Sequence, residues 1–234
     1  MTEVDRIFAD ISVLLDYCLV YNDGQESANV VFEEISDRGG SIVASEDAYA
    51  DLNEMISNRQ RLFKHLVDSC TEYMNDRELT AADYKNDVLN YTSINQTVDF
   101  DVDESLLPDI QSLHDYFDEV GLSDFRNEVD RFMRQGSIQR RQLRKRFFAD
   151  KGLYSKGGQS ATMLRITISG IAEYEAQEVS LVDAAFWCQT QGNQILIRHG
   201  SSPHEKRDKL LSAVEEITTG PVSAYSPEEI EERI

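Results

Sequence analysis

The chain has 234 residues, of which 41% are hydrophobic and 9% aromatic, and this composition excludes a disordered chain. Its length fits one domain with an insertion or two small domains. The formal net charge of −20, from 43 acidic and 23 basic residues, excludes general coating of nucleic acid, because binding to phosphates needs positive charge. Any contact with RNA or DNA must therefore use a local basic patch or bound metal ions.

The cysteine pattern and the absence of long apolar runs bear on the compartment. Cys18, Cys70 and Cys188 are odd in number, far apart and without a CxxC pair, which argues against a disulfide framework or a zinc site. No apolar run reaches ~18 residues, and the N-terminus MTEVDR lacks a signal-peptide pattern. We therefore expect a cytoplasmic protein that does not contact a membrane.

The first 70 residues alternate between apolar runs and helical periodicity. The predicted elements are a strand at 6–11, helices at 12–21 and 25–35, a strand at 41–44 and a helix at 45–66. Gly39 and Gly40 end the second helix, and Ser45 is a good N-cap for the third. Alternation of this kind favours a parallel sheet covered by helices.

The middle of the chain departs from this alternation, and the last third returns to it. The middle is predicted as a polar, acidic stretch at 71–108, a helix at 109–135, a basic run at 137–148, a mobile loop at 152–160 and a strand at 163–168. The last third is predicted as a helix opening at Ser180, a turn at 191–193, a strand at 195–197, a helix at 204–217 and a polar tail from Pro221.

Three acidic residues stand at comparable places in the alternating parts. Asp10 ends the first strand, Asp51 lies in the helix after the second strand, and Asp183 lies in the first turn of the helix before the ILI strand. Ligands of open α/β sheets bind at the carboxyl ends of strands, so convergence there would create a carboxylate cluster. Such a cluster needs a Mg²⁺ or Mn²⁺ ion to be stable, and that ion can activate water for phosphodiester hydrolysis.

The stretches FADISVLLDY, VASEDAYADL and SLVDAAFWCQTQGNQILI, in this order, resemble the PIN-domain nucleases, the fold of many toxin–antitoxin ribonucleases. Asp10 matches the first acid of that family, and Ser12 matches its small polar residue, which makes Ser12 a substrate-binding candidate. Asp51 matches the second acid, as Asp for the usual Glu, and Asp183 matches the third. The resemblance covers about residues 5–68 and 178–217.

This resemblance implies a three-layer α/β/α PIN-like fold with a central parallel sheet and a mainly helical insertion. The implied layout is a PIN-like domain at 1–70 and 179–220, an insertion at 71–178 and an acidic tail at 221–234. The implied activity is metal-dependent endoribonuclease cleavage of RNA, with Mg²⁺ or Mn²⁺ as the cofactor at Asp10, Asp51 and Asp183. An antitoxin or another protein is an implied partner, and a homodimer is an alternative assembly.

The chain departs from the family pattern after the ILI strand, where a Thr or Ser and a fourth acid are usual. The residues here are Arg198, His199 and Gly200, so a catalytically inactive PIN-like module that binds RNA or protein is the alternative. His199 is a substrate-binding candidate or a plain loop histidine. Asp10 could instead cap a helix, although Ser12 could do so in its place.

The other acids also have structural alternatives. Asp51 could be a solvated helix position, with Glu46, Asp47 and Glu54 as rivals for its role. Asp183 could form a capping box with Ser180.

The dense positive charge at 140–146 is the candidate RNA-binding feature. It consists of Arg140, Arg141, Arg144, Lys145 and Arg146. Arginine binds phosphate bidentately, and Phe147 and Phe148 could stack on unpaired bases. The alternative is a helix face that forms ion pairs with the many acids of this chain.

The balance of charges also resembles that of proteins from halophilic archaea. The chain has 16 Arg against 7 Lys, beside its large excess of acids. An acidic surface keeps a protein soluble where salt screens its charge. The alternative is an ordinary acidic protein of the cytosol.

Overall fold

The computed structural model describes residues 6–19, 24–98, 102, 106–148, 152–154, 187, 194–196 and 223–231. The described helices are α1 (Ile11–Cys18), α2 (Gln25–Asp37), α3 (Glu46–Asn75), α4 (Ala81–Asp87), α5 (Tyr91–Thr97), α6 (Leu107–Arg146) and α7 (Pro227–Glu231). The described strands are β1 (Arg6–Ala9), β2 (Ser41–Ser45), β3 (Leu153–Tyr154), β4 (Gln194–Leu196) and β5 (Ser223–Tyr225).

The described strands form one parallel sheet in the order β3-β2-β1-β4-β5. Phe8 of the central strand β1 pairs with Val43 of β2 on one side and with Ile195 of β4 on the other. Ile7, Phe8 and Ala9 are fully buried, as expected for a parallel strand whose two faces are both covered. The sheet confirms the predicted mixed α/β class.

Helix α2 follows its sequence pattern closely. The predicted apolar face, Ala28, Val31, Phe32 and Ile35, is buried. The helix ends where Gly39 adopts a φ of 74°, a left-handed conformation that glycine accepts without a Cβ clash. The Gly40 N–H donates to the Ile35 carbonyl at 2.9 Å, which satisfies one of the carbonyls left over at the end of the helix.

Helical structure in the middle of the chain exceeds the prediction. Helix α3 continues to Asn75, and α4 and α5 lie within the stretch at 71–108 that was expected to be mostly irregular. Both short helices depend on local caps rather than on apolar periodicity: Thr80 forms a capping box with Asp83, and Asn90 accepts from the Thr92 N–H.

The second half of the chain also differs from the prediction. Helix α6 includes the basic run and contains a kink at Gly121, whose φ is 72°. Leu153 and Tyr154 pair with β2 instead of opening a loop. The polar tail contains β5 and α7, and Ser226 with Glu229 forms a capping box at the start of α7. The strand predicted at 163–168 and the helix at 204–217 lie outside the described residues.

The described residues divide into two compact units. Unit 1, drawn from Met1–Asn53 and Gln139–Ile234, contains the sheet, and α1 and α7 pack against α2 within it. Unit 2, Glu54–Ile138, has an aromatic core in which Tyr84 contacts Tyr73, Phe117 and Phe125. The Tyr84 hydroxyl donates to the Leu66 carbonyl at 2.8 Å, and burial raises the Tyr84 pKa.

The predicted domain boundaries at residues 70 and 178 stay a prediction, because 155–186 lie outside the described residues.

Within the part of the chain that the structure covers, no helix combines the length and the apolar character that a membrane crossing requires.

Phe32 tests how much stability the core of unit 1 draws from one ring. It is fully buried, stacked on Tyr17 with ring centroids 5.1 Å apart and edge-on to Phe147 at 5.2 Å. We expect Phe32→Ala to lower the free energy of unfolding by about 3–5 kcal/mol, because it removes a large ring and leaves a cavity. Denaturant unfolding followed by circular dichroism measures this change. Ser36→Ala, at an exposed position of the same helix, is the control and should stay within about 0.5 kcal/mol of wild type.

Candidate functional site

The order of the strands singles out the carboxyl end of β1. The chain passes from β1 to β2 and β3 on one side of the sheet, whereas β4 and β5 lie on the other side. The direction of winding therefore reverses between β1 and β4, and ligands of open α/β sheets bind in the crevice at such a switch point. Ala9, the last residue of β1, pairs with Leu196, the last residue of β4, so both strands end at the same level.

Asp10 occupies this position, directly after β1. It is the N-cap of α1, and its Oδ2 accepts from the Ser12 N–H at 3.0 Å and from the Ser12 Oγ at 2.7 Å. Asp10 as a whole is 8% exposed. The interpretation that Ser12 caps this helix in place of Asp10 is wrong, because β1 ends at Ala9 and the helix begins at Ile11. Ser12 instead orients the Asp10 side chain.

Asp51 lies beyond the carboxyl end of β2. Ser45 caps α3 by accepting from the Ala48 N–H at 3.3 Å, as the sequence predicted. Asp51 follows on the exposed surface of α3, and Asp47 precedes it by one helical turn, in the first turn after the strand. Its rival Asp47 is thus about 6 Å closer along the helix axis to the sheet edge.

A metal ion would need a larger set of ligands than the described residues provide. Asp10 and Asp51 offer carboxylate oxygens, which suit a hard cation such as Mg²⁺. Among the residues that the structure covers, no group of three His, Cys, Asp or Glu side chains could hold a metal. Asp183 and His199 lie outside the described residues, so their part in the predicted site stays a prediction.

Arg146, at the end of the basic run, forms an ion pair. Its two terminal nitrogens donate to the two carboxylate oxygens of Glu33, each at 2.5 Å, and this bidentate contact raises the pKa of Arg146. The guanidinium also lies 5.4 Å from the centre of the Phe147 ring. Arg146 therefore follows the alternative interpretation of the basic run, in which the bases form ion pairs with acids of the chain.

The other bases of the run have different surroundings. The Arg144 guanidinium lies 5.7 Å from the centre of the Tyr49 ring, and the Tyr49 hydroxyl donates to the Arg140 carbonyl at 3.5 Å. Arg141 and Lys145 are exposed. Within the described ranges, none of these four bases forms an ion pair.

The two phenylalanines after the basic run belong to the core. Phe148 is 2% exposed and packs edge-on against Tyr49, with ring centroids 5.8 Å apart. Phe147 is half-buried and contacts Tyr17 and Phe32 edge-on. The expectation that Phe148 stacks on unpaired bases is therefore wrong, because its ring is already covered by protein.

Two polar residues near these elements were not predicted. Tyr49 connects α3 to the basic run, although its sequence neighbours give no sign of a partner some ninety positions away. Asp16 is fully buried in α1, and a Cβ added to Gly24 would lie 2.7 Å from its Oδ2. The sequence does contain a signal for the burial of Asp16: it is the one acid in the apolar run VLLDYC. In a helix, Val13, Asp16 and Tyr17 lie on one side, and all three are buried.

The described cysteines are core residues, as predicted. Cys18 and Cys70 are buried free thiols. Burial raises the pKa of Cys18 to about 12 and that of Cys70 to about 11. Both thiols therefore stay protonated at neutral pH, and neither has the properties of a nucleophile.

Comparison with known proteins identifies no relatives. No protein-family model matches the chain, and neither a curated protein nor a solved structure matches it. The PIN-domain resemblance therefore depends on the three stretches and three acids described above.

Asp10 offers a test that separates capping from any other role of the carboxylate. We expect Asp10→Ala to lower the free energy of unfolding by about 1 kcal/mol, because the Ser12 N–H loses its acceptor. Asp10→Asn should stay close to wild type, since asparagine caps as well as aspartate does. Urea unfolding of the three proteins measures the difference. Equal stability of Asp10→Ala and wild type would contradict the capping role.

Tyr17 gives a prediction for alkaline pH. Burial, reinforced by the negative charge of Glu33, raises its pKa from 10.0 to about 12. Below about pH 10 the phenol is neutral in both states; between about pH 10 and 12 the unfolded state loses the proton first, so the free energy of unfolding falls as pH rises. Tyr17→Phe should make this fall less steep, as measured by denaturant unfolding across that pH range. An unchanged slope would show that the Tyr17 phenol does not contribute to it.

Proposed function

We propose that the chain is a metal-dependent endoribonuclease of the PIN type, with a three-layer α/β/α fold around its parallel sheet. Asp10, Asp51 and Asp183 would hold Mg²⁺ or Mn²⁺. The observation that supports this proposal is the location of Asp10, a buried acid directly after the central strand and at the switch point of the sheet. Acids at that point have the chemistry of a cation site.

Each residue has a definite role in the proposed reaction. When bound, the cation supplies an activated water and offsets the charge of the phosphodiester. Ser12 holds the Asp10 carboxylate in one orientation through two hydrogen bonds, so its role is positioning rather than direct contact with RNA. Bases of the run at 140–146 would bind the phosphates, and His199 stays a further candidate for substrate contact. A cytoplasmic location and an antitoxin partner or homodimer also stay predictions.

A catalytically inactive PIN-like module is the second candidate. One observation favours it: Asp10 has a structural role as the N-cap of α1. A cap alone can account for an acid at this position. This candidate binds RNA or a protein partner and shows no heat of Mn²⁺ binding in calorimetry.

Cleavage of a labelled single-stranded RNA in the presence of Mn²⁺ tests the proposal. We expect wild-type protein to cleave it and Asp10→Asn to be as inactive as the EDTA-treated enzyme, because the amide cannot supply the negative charge that a cation requires. Since asparagine keeps the cap, loss of folding does not explain the loss of cleavage.

Asp68→Asn is the matched control. Asp68 is an exposed acid on α3, so this variant changes the net charge equally and should cleave like wild type. Cleavage retained in Asp10→Asn would refute the assignment of the site. A wild-type protein that neither cleaves RNA nor binds Mn²⁺ would favour the inactive module.

A further inference from the structure

The five bases at the end of α6 do not share one environment. Arg146 is neutralised by Glu33 and lies against Phe147, in the aromatic cluster formed with Tyr17 and Phe32. Arg140, Arg141, Arg144 and Lys145 have no acidic partner within the described ranges, in a chain that has 43 acids for 23 bases. Because acids outnumber bases, we expect most bases to form ion pairs. Four neighbouring bases that form none within the described ranges therefore need an explanation.

Tyr49 holds one of these bases in place. Its ring is half-buried and fixed by an edge-on contact with Phe148, and its hydroxyl donates to the Arg140 carbonyl at 3.5 Å. The Arg144 guanidinium lies over this ring at 5.7 Å, a distance typical of a cation–π contact. An arginine held by an aromatic ring keeps N–H donors in its plane, and these donors match the two oxygens of a phosphate.

The alternative explanation is electrostatic stabilisation of the helix end. Positive charges in the last turn of a helix interact favourably with its dipole, by about 0.3–1 kcal/mol each when exposed. Arg144, Lys145 and Arg146 are in that last turn. The dipole does not account for Arg140 and Arg141, which lie about one turn earlier, nor for the contact of Arg144 with Tyr49. The two explanations differ in what they predict for ligand binding.

We propose that the exposed bases Arg141, Arg144 and Lys145 form a phosphate-binding strip for the RNA backbone and that Tyr49 positions Arg144 in it. The half-buried Arg140 lies outside the strip, and Arg146 is a structural clamp outside it. The choice of RNA rests on the function proposed above. Phe148 is buried, Phe147 packs edge-on against Tyr17 and Phe32, and the Tyr49 ring lies under Arg144, so the strip offers charge to phosphates rather than a ring to bases.

Binding of a labelled 12-nucleotide oligouridylate, measured by fluorescence anisotropy in EDTA, tests this division without any cleavage. The slope of log affinity against log salt concentration reports the number of phosphates neutralised, at ~0.7 per contact for single strands. We expect Arg141→Gln, Arg144→Gln and Lys145→Gln each to lower the slope by ~0.7 while leaving stability near that of wild type. Arg146→Gln should leave the slope unchanged and lower the unfolding midpoint in urea.

Two variants of Tyr49 test its positioning role. Tyr49→Phe keeps the ring face and should bind like wild type. Tyr49→Leu removes the ring and should weaken binding about two- to five-fold, as expected for loss of one exposed cation–π contact. Tyr49→Leu should add little to Arg144→Gln in the double variant, because both remove the same contact. Circular dichroism at each salt concentration establishes that the acidic protein is folded throughout the range.

The controls separate this proposal from the proposed function. Arg77→Gln, at an exposed position of unit 2, should leave binding unchanged. If Arg146→Gln lowers the salt-dependence slope as much as the strip variants do, the distinction between the strip and the clamp is overturned. Binding of polyglutamate in place of the oligouridylate would overturn RNA as the ligand and point to an acidic protein. If the protein cleaves RNA but every strip variant binds like wild type, the strip is overturned and the nuclease proposal stands. If the variants show the expected slopes but the protein never cleaves RNA, the nuclease proposal is overturned and the strip stands.

Discussion

The burial of β1 on both faces is the constraint on which the rest of unit 1 depends. Parallel pairing on two sides satisfies the backbone of this strand, and its side chains project into two covered faces, so Ile7, Phe8 and Ala9 must all be apolar. The first residue that can be polar is the one that leaves the sheet, and there the free N–H groups of α1 need an acceptor. An acid at position 10 meets both requirements, which gives Asp10 a structural reason to exist before any catalytic one.

Capping and catalysis make different demands on the same carboxylate. The cap uses the hydrogen-bond acceptor, which an amide oxygen replaces, whereas a cation uses the negative charge, which an amide lacks. Ser12 donates to Asp10 through both its N–H and its hydroxyl, and these contacts restrict the carboxylate to one orientation. A fixed carboxylate suits a metal ligand as well as a cap, so the two roles are compatible in one side chain.

The parts of the fold that the sequence predicts are those with local causes. Helix α2 has a periodic apolar face and a glycine terminus, and the structure follows both. Leu153 and Tyr154 become a strand only by pairing with β2, more than a hundred residues earlier, and no local pattern carries that information. The sequence predicts Asp10 as a site residue because it ends the first predicted strand. The switch point at this strand depends on the order of all five described strands, which no local pattern gives. The capping box of Ser226 and Glu229 is likewise a local pattern, and it begins α7.

The basic run shows why charge density in a sequence does not assign a function. Arg144 and Arg146 are two positions apart on one helix, about 200° around its axis, and therefore meet different neighbours. One meets an aromatic ring from α3, and the other meets the carboxylate Glu33 from α2. In a chain of net charge −20, the fold decides which bases form ion pairs with acids, as it does for Arg146, and only the remaining bases keep their charge for a ligand.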